Sequence, residues 1–320
     1  MDTWSVYWKS GICTSFGDRL PQWYKRTLHP FWVKAFSHLP ACSRVLDVAS
    51  GNGAVAEIAA RVSIEQKKQL RIVAVDKADL APKGMEGNCA EQIEFLPNMP
   101  LETLRIPGRR FDLVCSQFGL EYAKAALAFR SVQNVLEPNG SLLMVAHHSA
   151  SIICGSSREE LQQYRSLLKE YPLFAKLALL LQAMGDIRRR SDLQALSDNP
   201  VSEKQRAAFN RVVGKLLHRH PEGVVLADVL QRINPLFKEK VTLPLPAKLR
   251  YVRRLEQEMM YAQQRLLDLT AAALNEKGMQ KFLRLAENSG LETEICEKML
   301  DEAGLLAWVI RFRKNNRYGS

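Results

Sequence analysis

Apolar residues fall along this chain in two rhythms. Through the first 150 positions, short unbroken runs of β-branched and leucine residues recur, each stopped by a small residue, a turn signal or an acid. Runs of this kind predict buried parallel strands over 45–48, 70–76, 93–96, 111–115 and 142–146. Between them, spacing and composition predict a helix opening at 54–60 and another ending at Leu136, before the turn Pro138-Asn139-Gly140. From 151 to 275 the period is helical, with breaks at Pro172, Gly185, Pro200, Pro221, Pro235 and the pair Pro244/Pro246. A helix over 279–289, ended at Gly290, then leads into two β-patterned segments, 291–300 and 305–313, joined by Asp301-Glu-Ala-Gly.

Strand and helix alternating in this way predict an α/β fold on a largely parallel sheet. The segment 44–61 stands at its centre: strand 45–48, the small-residue turn Ala49-Ser50-Gly51-Asn52-Gly53, then a helix. Glycine removes Cβ atoms there, so backbone N–H groups and a helix N-terminus can approach a ligand. Gly51-x-Gly53-x-x-Ala56 fits a dinucleotide fingerprint. Asp76, ending the second strand 23 residues past Gly53, is an acid placed to bind ribose hydroxyls.

The same stretches, in order, resemble the motifs of the class I S-adenosylmethionine (SAM)-dependent methyltransferases that act on small molecules. Asp47-Val-Ala-Ser-Gly51-Asn-Gly53 is similar to their first motif, with Ala49 where a first glycine is common. Arg110-Phe-Asp-Leu-Val-Cys-Ser-Gln-Phe-Gly-Leu-Glu-Tyr122 looks like their fourth motif, and Leu136-Glu-Pro-Asn-Gly140 like the turn before their fifth strand. The terminal hairpin belongs to the same resemblance, whereas a nicotinamide domain more often continues with parallel βα units.

The resemblance implies a Rossmann-like, doubly wound, seven-stranded and mostly parallel sheet with one antiparallel strand. It implies an aromatic N-terminal cap (1–40), a SAM-binding core (41–150), a helical lid or substrate insertion (151–275) and completion of the core (276–320). The cofactor would be S-adenosyl-L-methionine, with no metal. Its binding residues would be Asp47, Ala49, Ser50, Gly51, Asn52 and Gly53, then Asp76 and Lys77, Asn98 and Met99, and Gln117 and Phe118. A hydroxyl or carbon nucleophile can need a base, and His147 and His148 at the end of the fifth strand are the candidates. Tyr7, Trp8 and Tyr122 are candidates for a substrate lid.

Composition narrows the function classes. Residues 1–40 hold four of the five tryptophans, which serve either to cover a sheet edge or to roof a pocket. The net charge is +11, of which residues 151–320 supply +8 and residues 1–150 supply +3. That excess suits anionic partners, yet it also describes a solvated basic surface, and no RNA-binding signature accompanies it. Fourth-strand loop Ser116-Gln-Phe-Gly lacks the Asp/Asn-Pro-Pro-Tyr tetrad of amino-directed nucleic-acid methyltransferases, which disfavours a nucleic-acid acceptor. The apolar run 173–184, followed by Arg188, Arg189 and Arg190, reads as a buried helix with a basic end, or alternatively as a membrane-surface contact or substrate wall. Arg250, Arg253 and Arg254 read as a helix surface, or alternatively as a clamp for an anionic group. Six scattered cysteines, without a C-x-x-C pair, and an N-terminus without signal-peptide character imply a reduced, cytoplasmic setting. The expected activity is methyl transfer to oxygen or carbon of a small apolar, aromatic or acyl-type acceptor. The alternatives are an NAD(P)-dependent oxidoreductase and a nonenzymatic SAM-binding protein.

Overall fold

A computed structural model describes residues 3–12, 14–15, 21–85, 87–187, 189, 192, 196 and 198–315. Arg188 and Arg190, singled out in the sequence, lie outside them, as does one of the six cysteines, Cys13. The chain divides into two compact units, one of residues 1–155 and 268–320, the other of Ser156–Leu267.

The first unit is built on seven strands: β1 (Arg44–Val48), β2 (Arg71–Val75), β3 (Ile93–Leu96), β4 (Phe111–Gln117), β5 (Leu136–His147), β6 (Leu291–Asp301) and β7 (Gly304–Lys314). Their order across the sheet is β3-β2-β1-β4-β5-β7-β6. The first five run parallel, and β7 pairs antiparallel with both β5 and β6. Alternation decides which residue feeds which layer. On one face Val45, Leu113 and Cys115 pack with Trp32 and Phe36 of α2 (His29–Ser37) and with Ala56 and Ile58 of α3 (Ala54–Glu65). On the other, Leu46, Val114 and Met144 meet Phe129 and Val132 of α4 (Ala125–Val135) and Phe282 of the last helix (Glu276–Glu287). Near the N-terminus, α1 (Thr3–Trp8) carries Trp4 stacked on Trp8, with ring centroids 6.1 Å apart.

Two boundaries differ from the sequence expectation. β4 extends to Gln117, two residues beyond the predicted end, because Ser116 and Gln117 still pair with Met144 and Val145. Glu121 and Tyr122 lie in a separate 3-10 turn, and α4 begins only at Ala125. In addition, β5 starts at Leu136, so the Pro-Asn-Gly segment lies within the strand as an irregularity. Pairing jumps there from Phe111–Leu136 to Leu113–Ser141. Gly140 is required at that point, since a Cβ would stand 2.7 Å from the Phe111 carbonyl oxygen. The last helix is capped by Asn275, whose side chain accepts from the Gly278 N–H at 2.7 Å. Gly290 follows it in the left-handed region, at φ +82°.

The second unit is helical. It holds most of α5 (Ile152–Arg165), then α6 (Leu173–Met184), α7 (Pro200–Arg219), α8 (Val224–Ile233) and most of α9 (Leu245–Ala272); the last helix is α10. It has an apolar core of its own. Leu173, Phe174, Leu177, Leu180 and Leu181 of α6 pack with Phe209, Val229, Val252 and Leu255. The apolar run 173–184 therefore buries four of its five leucines within this unit, while Leu179 stays exposed. Arg250, Arg253 and Arg254 lie exposed on α9. Among the described residues, no helix is long and apolar enough to cross a membrane.

Candidate active site

The carboxyl ends of β1, β2 and β4 open on one cavity, as expected where strand order reverses in a doubly wound sheet. From β1 comes Asp47, 1 % exposed. Its Oδ2 accepts the Ala56 N–H at 3.1 Å, and its Oδ1 lies 3.9 Å from the Cys115 thiol. So the carboxyl ties the strand to the first turn of α3. Burial, with the neighbouring Asp76 carboxylate adding to it, pushes its pKa up to about 8.

From the end of β2 comes Asp76. Its Oδ2 accepts the Gly51 N–H and its Oδ1 the Ala78 N–H, both at 2.8 Å. The acid thus shapes the glycine turn of β1 while lining the cavity. The backbone is twisted into the left-handed region on two sides of the site, at Ala49 (φ +52°) and Phe118 (φ +53°), neither of them glycine. Gly119 lets these two turns meet, since a Cβ there would be 2.5 Å from that of Ala49.

Of the residues singled out in the sequence, Asp47, Ala49, Ser50, Asp76, Lys77, Met99, Gln117 and Phe118 line this cavity, together with Trp8 and Tyr122. Gly51, Asn52, Gly53, Asn98 and Tyr7 do not. The glycines do allow close approach, but by protein. A Cβ on Gly51 would collide with the Trp8 ring, and one on Gly53 would stand 2.8 Å from that of Phe95. Asn52 is fully buried and acts as a latch. Its Nδ2 donates to the carbonyls of Trp8 and Ile12, each at 2.8 Å, and its Oδ1 accepts the Ala81 N–H at 3.0 Å. Asn98 takes a left-handed turn (φ +59°), and the Met99 N–H is engaged by the Asp76 carbonyl at 2.8 Å. Only the Met99 side chain faces the cavity. Tyr7 is turned aside, its hydroxyl donating to the Thr14 carbonyl.

The structure also departs from expectation at the two histidines, neither of which lines the cavity. His147 is 1 % exposed and stacks on Phe118 at 4.2 Å. Burial lowers its pKa to about 3, so it stays neutral. His148 accepts the Ala150 N–H at Nδ1, which places its proton on Nε2, 3.5 Å from Glu276. It stacks on Trp308 and ties the end of β5 to the start of α10. Both are packing residues in this arrangement. Glu121, not singled out in the sequence, accepts the His147 N–H at 2.8 Å, and burial raises its pKa to about 7.

Sequence reasoning missed Thr14, Ser15, Ala54, Val55, Leu101, Glu102 and Ala123 as lining residues. Trp4 also lines the cavity, and its signal was there, since i,i+4 spacing puts it on the face of Trp8. Glu102 sits in a short turn after β3 that no periodicity marks.

Residues 45–140 match the family described as the methyltransferase domain. The match covers β1 to the start of β5, the part of the sheet that surrounds the cavity. With β6 and β7 added, the sheet has the seven strands, mostly parallel, and the terminal hairpin that the resemblance implied. No curated protein matches the chain. Among solved structures, a SAM-dependent methyltransferase from Mesorhizobium loti is 22 % identical over 37 % of this chain and 52 % of its own, with a TM-score of 0.28. This chain therefore spans about half that protein's length. The plantazolicin methyltransferase BpumL, bound to a substrate analogue and SAH, is 8 % identical over 90 % of this chain and 82 % of its own, at a TM-score of 0.41. The YcgJ protein from Bacillus subtilis is 13 % identical over 90 % and 97 %, at 0.35.

The match of residues 45–140 to a methyltransferase domain implies SAM as the cofactor, and the residues lining the cavity fit it. SAM carries a sulfonium and an ammonium, and the cavity lining offers the Asp76 carboxylate together with the Asp47 carboxyl, which burial holds protonated up to about pH 8. Met99, Leu101 and Val55 supply apolar surface for a purine.

Proposed function

We propose that this chain transfers a methyl group from SAM to a small acceptor with an apolar or aromatic body, at oxygen or carbon. The observation that carries this is the composition of the cavity: carboxylates suited to a cationic cofactor stand beside the rings of Trp4, Trp8, Phe118 and Tyr122. Trp4 and Tyr122 meet edge to face with centroids 5.9 Å apart, so α1 and the turn after β4 share one aromatic wall.

When bound, SAM supplies an electrophilic methyl group that a nucleophile attacks in line. In this reading Asp76 holds the adenosine ribose, and Asp47 faces the methionine end. Met99 and Leu101 pack on the adenine. The aromatic wall orients the acceptor and keeps water out, and such positioning accounts for much of the rate in a displacement of this kind. No imidazole faces the cavity, so the reading assigns no histidine base.

Calorimetric titration with SAM, S-adenosylhomocysteine (SAH) and NAD in parallel tests the proposal. The expected result is binding of SAM and SAH, weakened at least about tenfold by Asp76→Ala, in line with loss of charge-assisted hydrogen bonds. Binding of NAD alone would refute it.

A further inference from the structure

Gln117 ends β4 at the cavity, on the sheet face that carries Leu113 and Cys115 toward α2. Trp32 on α2 is fully buried, and its indole Nε1 donates to Gln117 Oε1 at 2.7 Å. An indole N–H can only donate, so the amide must turn its oxygen toward Trp32. That fixes the orientation of the whole amide group. Its Nε2, with two N–H donors, has no partner among the described residues and belongs to a side chain lining the cavity. The chain thus uses a buried tryptophan to hold a donor open toward whatever sits between the aromatic rings.

The charges around it limit the ligand. Asp76 and Glu102 line the same cavity, Lys77 is the one cationic side chain among its described lining residues, and burial keeps the Asp47 carboxyl protonated. An anionic acceptor would meet like charges, whereas a hydroxyl or carbonyl oxygen would not. The rings of Trp4, Trp8, Phe118 and Tyr122 in the same lining favour a flat apolar body carrying that oxygen.

We infer that Gln117, oriented by Trp32, donates through Nε2 to an uncharged oxygen of the methyl acceptor and so selects acceptors that carry one. The inference rests on reading this cavity as a methyl-transfer site. Gln117 is then a specificity residue and Trp32 a positioning residue.

Phenol and toluene, alike in shape and differing in the oxygen, are the probes. Each is titrated into the full chain, uniformly labelled with 15N and saturated with SAH; affinity is read from backbone amide and indole N–H resonances, and the oxygen contact from the Gln117 side-chain amide. The Gln117 signal is the one absent from Gln117→Leu. Phenol should move that signal and toluene should not. The phenol-to-toluene affinity ratio should fall about three- to tenfold in Gln117→Leu, the range for one lost neutral hydrogen bond. Trp32→Phe should lower the same ratio while SAH affinity stays within about twofold of wild type. A purely packing role for Trp32 would not move the ratio. If Trp32→Phe does not fold, Gln117→Leu decides alone. An unchanged ratio, or no phenol-induced shift, overturns the inference. So does a loss of SAH affinity in Gln117→Leu, which would mean that the amide serves the cofactor. Failure of the wild-type chain to bind SAH would instead remove the underlying methyl-transfer reading.

Discussion

Replacing Asp47 with Asn should make the protein more stable at alkaline pH and remove part of its pH dependence. Asp47 is 1 % exposed and faces no cationic side chain; the groups acting on it are the Ala56 N–H, Asp76 and Cys115. In the folded chain burial pushes its pKa up to about 8, against 3.8 for an ordinary aspartate carboxyl. Between those values the folded state binds a proton that the unfolded state has lost. Stability therefore falls as pH rises through this window and levels off above it. From pH 5.5 to 8 this spans about 2.5 units, or roughly 3 kcal/mol at about 1.4 kcal/mol per unit. Asn keeps the shape and an oxygen for the Ala56 N–H but does not ionise. Glu121, also raised by burial, contributes in the same direction in both proteins and cancels in the comparison. The assay is urea denaturation of wild type and Asp47→Asn at pH 5.5 and pH 8.5, without cofactor. The stability difference should shift by roughly 3 kcal/mol in favour of the variant at the higher pH. A difference independent of pH would refute the reasoning and mean that water reaches Asp47 freely.

Other outcomes follow from the turns around the site. Gly51→Ala puts a Cβ into the Trp8 ring at a left-handed backbone position, so thermal unfolding should show a loss of about 2 kcal/mol or more, with altered tryptophan emission. Ala49→Gly relieves a non-glycine residue at φ +52° and should raise stability by about 1 kcal/mol in the same measurement; a lower melting temperature would contradict the strain. Asn52→Ala removes the donor and acceptor that bind Trp8, Ile12 and Ala81 and leaves buried groups unpaired. It should cost about 2–4 kcal/mol and expose the chain N-terminal to Thr14 to limited proteolysis at least about tenfold faster.

Much of the fold was legible in the sequence, for a physical reason. Strands buried on both faces must be mostly apolar, so 45–48, 70–76 and 111–115 announced themselves by local composition despite Asp47, Arg71 and Asp112. The terminal hairpin was equally plain, its two segments separated by a four-residue turn signal. Boundaries set by pairing were not. β4 continues to Gln117 because β5 supplies partners, and the Pro-Asn-Gly segment is held inside β5 because Phe111 lies against it.

At the site, the residue types were readable, but their duties were not. Asp47, Asp76 and Gln117 stand where strand ends place them, which the order of the motifs determined. What each side chain touches depends on elements distant in sequence. Trp8 fills the space over Gly51 from 43 positions away, Asn52 reaches back to Ile12, and Trp32 turns the amide of Gln117 across 85 residues. His147 and His148 show the limit most clearly. A histidine ending a strand at the ligand side of a sheet has the right chemistry for a base. Burial against Phe118 and Trp308 makes each of them a packing residue, and burial is a property that only the assembled chain possesses.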